Sequence, residues 1–160
     1  MSPIYKLPRS VQVVIFTETT AIRQFLLLER RLHHLTFWQA VTGSLEEGET
    51  HRQAAVREVR EETGIVCREV DLIDLQLTNV FAIAPAWRSK FQPGTTHNEE
   101  ICFALQVESC DIQLDAREHF DYVWLEYDAA YKMLYWESNK KAFQVLQKLL
   151  EAPSGASRQE

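Results

Sequence analysis

The chain has 160 residues, 46% of them hydrophobic and 25% charged, which fits one globular domain with its own core and excludes general disorder. Its 17 Lys and Arg stand against 23 Asp and Glu, a net charge of −6, which argues against a nucleic-acid-binding surface. No run approaches the roughly 20 apolar residues of a membrane span and the N-terminus lacks a signal-peptide pattern, so a soluble cytoplasmic protein with no membrane partner is expected.

Residues 10–17 (SVQVVIFT) are β-branched and apolar and predict a buried strand; residues 24–29 (QFLLLE) predict a second. Residues 30–36 (RRLHHLT) read as a basic loop, residues 37–42 (FWQAVT) as a short strand and residues 43–49 (GSLEEGE) as an acidic loop. Thr50 and Gln53 match a capping box at the start of a helix, which Gly64 stops. Strand material follows within residues 65–78. Residues 79–97, with Pro85, Pro93 and Gly94, read as a long loop, a length that is usually functional or disordered. A strand is predicted at 99–107, a polar connection at 111–121 and a short strand at 122–125. Ser138 is the expected N-cap of a second helix running to residue 150, with Ala142, Phe143, Leu146, Leu149 and Leu150 on one stripe. The domain is expected to span 1–150, with a flexible polar tail at 151–160. Cys67, Cys102 and Cys110 lack metal-type spacing and read as reduced thiols, small hydrophobes in the core.

The chemistry concentrates on the first helix. Glu58, Glu61 and Glu62 stand at i, i+3 and i+4 and are expected to look outward together, with Ala55, Val56, Val59 and Thr63 on the docking face. Like charges at i,i+4 cost an isolated helix about 0.2–0.5 kcal/mol, and a hard cation such as Mg²⁺, shared with substrate phosphates, relieves that repulsion. A merely solvated acidic face is the alternative. Arg57 and Arg60 flank the cluster, and either can hold a glutamate. Gly43 and Gly48 free the preceding backbone, and Glu49 at the helix mouth is within reach of the same cation.

Gly43, Glu49, Arg57, Glu58, Val59, Glu61, Glu62, Gly64 and Ile65 fill the pattern G-x5-E-x7-R-E-U-x-E-E-x-G-U, with U aliphatic, without departure. This resembles the box of the Nudix hydrolases. The resemblance implies an α/β fold, an α/β/α sandwich with a mixed central β-sheet, and hydrolysis of a nucleoside diphosphate linked to a further moiety. It implies a metal site of Glu58, Glu62 and Gly43 for Mg²⁺, with Mn²⁺ as a substitute, Glu61 as ligand or base, and Arg57 orienting them. Phosphoryl transfer needs this kind of positioning and charge neutralisation more than covalent chemistry.

The surroundings narrow the resemblance. Trp38-Gln39-x-Val41-Thr42-Gly43-Ser44 replaces the Pro-Gly-Gly of many relatives. With Arg30-Arg31, Pro93-Gly94-x-Thr96, and Glu118-His119 ahead of Tyr122-x-Trp124-Leu125, it is similar to the branch that acts on dihydroneopterin triphosphate in folate biosynthesis. That branch releases pyrophosphate and leaves the monophosphate. Under this reading Phe37 and Trp38 line a stacking wall, the alternative being ordinary core packing. Arg30, Arg31, Arg88 and Lys90 are candidate phosphate clamps, the alternative being solvated surface. Trp87 covers the pocket or anchors its loop. Glu118 completes the metal site or acts on the attacking water, with Asp115 and Asp121 as rivals. His33, His34 and His97 are expected in solvent. The partner is a small triphosphate, and the protein a monomer or homodimer. The rival readings are a general (d)NTP or 8-oxo-nucleotide pyrophosphohydrolase, a non-catalytic nucleotide-sensing domain, and an ADP-ribose hydrolase, whose diagnostic extension is not evident.

Overall fold

A computed structural model describes residues 4–19, 21–32, 34–108 and 111–152. The readings placed on His33, Cys110 and residues 153–160 of the expected tail lie outside the described residues. The described chain forms strands β1 (Arg9–Thr17), β2 (Gln24–Leu32), β3 (Leu35–Gln39), β4 (Val41–Ser44), β5 (Ile73–Ala82), β6 (His97–Val107) and β7 (His119–Leu125). It adds helices α1 (His51–Thr63), α2 (Tyr127–Met133) and α3 (Glu137–Glu151).

The run of β-branched and apolar residues in β1 has no solvent-facing side, and every residue from Ser10 to Thr17 is buried. It is the axis of a mixed sheet ordered β3-β2-β1-β6-β5, with β4 also on β1 and β7 also on β2. One edge of β1 pairs in parallel with β6 from Arg9↔Glu99 to Thr17↔Val107. The other edge is divided: β4 takes Ser10 to Val13, and β2 takes only Phe16 and Thr17. Beyond that point β2 leaves β1 and carries β3 and β7, so the sheet forks.

Strand alternation sorts side chains to two faces. Val11, Val13, Ile15, Leu26, Leu28 and Phe103 pack against Ala54, Ala55 and Val59 of α1. Val14, Phe16, Phe25 and Leu27 pack against Ala130 of α2 and against Ala142, Phe143 and Leu146 of α3. This is the helix–sheet–helix layering expected. The caps of α1 are also as expected: Gln53 N donates to Thr50 Oγ1 at 3.1 Å, Thr50 N donates to Gln53 Oε1 at 3.0 Å, and Gly64 takes φ +79°.

Several boundaries differ. The expected basic loop at 30–36 is a hairpin, with Arg30↔Phe37, Arg31↔Thr36 and Leu32↔Leu35 paired; cross-strand pairing supports a strand there without an apolar alternation. The expected strand at 37–42 breaks at Ala40, where the chain passes from β2 to β1. The long loop shrinks, because β5 continues to Ala82 opposite His97 and residues Pro85–Lys90 form a 3₁₀ helix. β7 begins inside the expected polar connection. The helix α2 was not predicted, since seven residues are too few to declare a helical period. α3 starts at Glu137, with Trp136 and not Ser138 at its cap position. Cys102 is buried in β6 and Cys67 half-buried, both as free thiols; His34 and His97 are exposed. Among the described residues no helix is long and apolar enough to cross a membrane.

Candidate active site

Gly43 lies on β4 opposite Val11, and a Cβ built on it would sit 2.1 Å from Glu58 Cδ. Its role is space rather than conformational freedom: only a bare Cα lets the Glu58 side chain lie against the strand. Gly48, by contrast, does take the left-handed φ of +79° in the turn before α1.

Arg57 ties the acidic loop to the helix. It donates Nε to Glu49 Oε2 at 2.8 Å and Nη2 to Glu49 Oε1 at 2.9 Å. It also donates Nη1 to Glu58 Oε1 at 2.8 Å and to Glu61 Oε2 at 3.2 Å, and Nη2 to the Ser44 carbonyl at 3.0 Å. The fork geometry of guanidinium suits such paired acceptors. Glu49 thus serves Arg57 with both oxygens, and that bond holds its carboxyl below the usual range.

The three helix glutamates do not all look outward. The Glu61 side chain is 47% exposed, whereas Glu58 is 12% and Glu62 2% exposed. The reason is β7, which sets His119 against the end of α1. His119 Nε2 lies 2.7 Å from Glu62 Oε1, while buried Glu62 Oε2 has no hydrogen-bond partner among the described residues. An oxygen of Glu118, an oxygen of Glu62 and a ring nitrogen of His119 lie within 4.8 Å of one another. The rivals of Glu118 are occupied elsewhere: Asp115 pairs with Arg117 at 3.0 Å, and Asp121 accepts from Tyr122 N at 2.7 Å. His119 is a site residue that sequence reasoning missed as such. Its signal was a histidine beside Glu118 at the mouth of a strand, in a segment read as a loop.

Burial pushes the Glu58 carboxyl up to about 9, with the Glu62 charge adding, and pushes Glu62 up to about 8. Burial also lowers the His119 imidazole, which favours its neutral form. Glu62 and Glu118 each bring an oxygen to one cluster, and Glu58 stands close enough for its carboxyl to interact with that of Glu62; oxygen donors of this kind suit a hard divalent cation. Without that cation, Glu58 and Glu62 bind protons in the folded state that the unfolded chain releases near 4.5. The native state then holds more protons between pH 4.5 and about 9, so stability falls as pH rises through that window. The expected result in chelator is a melting temperature that declines across it, and a much flatter profile on adding Mg²⁺. A chelated protein whose melting is level across the window contradicts the raised carboxyls.

The expected cations and aromatics separate. Arg30 pairs in register with His119 and Phe37, and its charge reaches Glu62, where it opposes the effect of burial. Lys6, which the sequence did not single out, donates its backbone N–H to the Lys90 carbonyl at 2.9 Å. Its amine is lowered by burial and by the charges of Lys90 and Arg30, and raised by those of Glu118 and Glu58. Arg30 and Lys6 thus stand at the carboxylate cluster, with Lys90 beside Lys6. Arg31 does not: it bonds Glu29 at 3.1 Å and lies 4.5 Å over the Phe120 ring. Arg88 Nε donates to the Ile83 carbonyl at 3.1 Å and pins its own loop. Phe37 is buried against Tyr135 and Trp136, Trp38 packs on the α3-side core, and Trp87 meets Trp136 at 5.3 Å.

Comparison with known proteins agrees with this geometry. The NUDIX domain matches residues 6–149. The chain is 42% identical over 143 residues to dihydroneopterin triphosphate diphosphatase of Escherichia coli K12, covering 88% of this chain and 93% of that protein. It is 36% identical over 140 residues to the protein of the same name from Haemophilus influenzae, covering 86% of each. Among solved structures, that of the E. coli dihydroneopterin triphosphate pyrophosphohydrolase superposes with a TM-score of 0.78 at 40% identity, covering 94% of this chain and all of that one.

Proposed function

The chain belongs to the Nudix family, and from that premise we propose that it hydrolyses dihydroneopterin triphosphate to the monophosphate and pyrophosphate with Mg²⁺. The observation that carries the reading is the 42% identity to a diphosphatase of that name over 88% of this chain and 93% of that protein's length. Glu58, Glu62 and Glu118 would hold the cation, which would polarise the phosphates and acidify a water.

The chain's own residues do the rest. Arg57 fixes Glu58 and Glu61 relative to β4 through the Ser44 carbonyl. His119 holds one oxygen of Glu62, which leaves the other directed to its ligand. Arg30, Lys6 and Lys90 neutralise the phosphate chain. Glu61, exposed and held by one 3.2 Å bond, takes the proton of the attacking water.

The test is turnover of dihydroneopterin triphosphate, dATP, 8-oxo-dGTP and ADP-ribose, with Mg²⁺ and with chelator, reading monophosphate and pyrophosphate separately. The expected result is pyrophosphate from the pterin substrate at the highest kcat/KM, abolished by chelator. Preference for one of the other three compounds, or turnover that survives chelation, overturns the reading.

A further inference from the structure

The aromatic residues around β3 fall on two different faces of the sheet, and only one of those faces carries the carboxylates. Along β2, Leu26 and Leu28 belong to the core under α1, and alternation sends Arg30 to the same side. Residues in register share a side, so Gln39 opposite Leu28 and Phe37 opposite Arg30 also face α1. Trp38 lies between them and points the other way, into the core under α2 and α3. On the far edge of β2, a register shift at Glu29–Arg30 sets His119 opposite Arg30, and His119 meets Glu62 of α1. His119, Arg30 and Phe37 therefore form one row on the catalytic face. Two strand spacings of about 4.8 Å each lead along it from the carboxylates to Phe37.

Further rings stand on Phe37. Tyr135 donates its backbone N–H to the Trp38 carbonyl at 3.5 Å, which brings the segment before α3 to β3. The rings of Tyr135 and Trp136 then lie 5.6 and 5.3 Å from that of Phe37 and 4.6 Å from each other. Trp136 is anchored through Nε1, which donates to Oε1 of buried Gln39 at 3.2 Å. Trp87 meets Trp136 at 5.3 Å with the two indoles inclined at 57°. Trp87 belongs to the 3₁₀ helix that ends at Lys90, whose carbonyl receives the Lys6 N–H, so a second connection leads back to the charged cluster. Phe37 is 3% exposed, whereas Tyr135 is 46% exposed and both indoles are only half-buried. Contiguous apolar surface left open beside a reaction centre marks a binding face.

We infer that Trp87 and Trp136 hold the head group: its flat ring lies on the open face of one indole and meets the other at its edge. Phe37 is the buried support beneath them, and Gln39 is the positioning residue that sets the plane of Trp136. Indoles inclined at 57° suit that combination of offset stacking and edge contact. Trp38, expected from the sequence to share the stacking wall, has no part in it. The inference rests on the triphosphate hydrolase reading and names the residues of that same site that grip the ring. Stacking uses the π-face that pterin and purine rings share, so this corner selects by flatness and area rather than by a hydrogen-bond code.

Trp87→Ala and Trp136→Ala are assayed in the full chain with dihydroneopterin triphosphate and Mg²⁺. Each is expected to raise KM roughly 5- to 150-fold, the range for removing one aromatic partner of a base, with the loss falling on KM rather than kcat. Inhibition by inorganic triphosphate, which has no ring, is expected to stay as in the wild type. Folded variants that both keep the wild-type KM overturn the inference, and so does an equal loss of affinity for inorganic triphosphate. A second arm needs no turnover and follows the binding of α,β-methylene-dATP by tryptophan fluorescence. Quenching is expected in the wild type, weaker quenching in Trp87→Phe and in Trp136→Phe, and none with inorganic triphosphate. Quenching undiminished in both phenylalanine variants overturns the inference, and this arm decides if the alanine variants fail to fold. A wild-type protein that binds the analogue in this way yet cleaves no triphosphate overturns the hydrolase reading and leaves the ring site standing.

Discussion

Glu62→Gln is expected to lower hydrolysis by about 10³-fold, since cation stabilisation of phosphoryl charge is worth several kcal/mol and each 1.36 kcal/mol is tenfold. The amide keeps the size of the side chain and can still bond His119. It removes the charge that the orphaned oxygen offers to a cation. The fold is expected to survive and, in chelator at high pH, to melt higher than wild type. The buried carboxyl of Glu62, raised to about 8, is destabilising once ionised, and glutamine never ionises. Turnover is read in a steady-state assay, metal binding by calorimetric titration with Mn²⁺, and stability by thermal melting. Wild-type turnover in this variant removes Glu62 from the site.

Gly43→Ala is the second large effect, and it is steric. Carbon atoms approach favourably to about 3.5–4.0 Å, far beyond the 2.1 Å that a Cβ would have to Glu58 Cδ. Gly43 is held in register on Val11 by the β1–β4 ladder, so the side chain of Glu58 must yield. On leaving, it gives up the 2.8 Å bond from Arg57 and its place beside Glu62. A stability loss of about 1–3 kcal/mol is expected from the overpacking, measured by urea denaturation. Activity is expected to fall at least about 100-fold, the upper end of what a displaced ligand support costs. A crystal structure of the variant with Glu58 unmoved contradicts this account.

Much of this site was legible in the sequence because α1 is regular. Its capping box and Gly64 fix both ends, so the phase of Arg57, Glu58, Glu61 and Glu62 follows from counting residues. What counting could not supply was depth. Whether a glutamate on that face meets water or protein depends on β7, which lies 57 residues away in the chain, and so Glu62 was expected outside and is found inside. The same limit hid Lys6, brought beside Lys90 by its long-range bridge to Phe91, and Gly43, whose reason is a neighbour and not its own backbone. In the fold, long apolar strands declared themselves. The hairpin of β2 and β3 did not, because Arg30 and Arg31 belong to a strand by pairing rather than by pattern.

The fork in the sheet bears on how such a domain diversifies. The helix with its carboxylates belongs to one core, while Trp38 of β3 and Leu134 of the segment before α3 belong to the other. The fully buried strand β1 lies between the two. Changes in β3, in the segment before α3 or in the loop carrying Trp87 leave the phase of α1 undisturbed. Such a layout lets an inherited reaction be retargeted piecemeal, with the bond that is cut kept constant while the molecule carrying it changes.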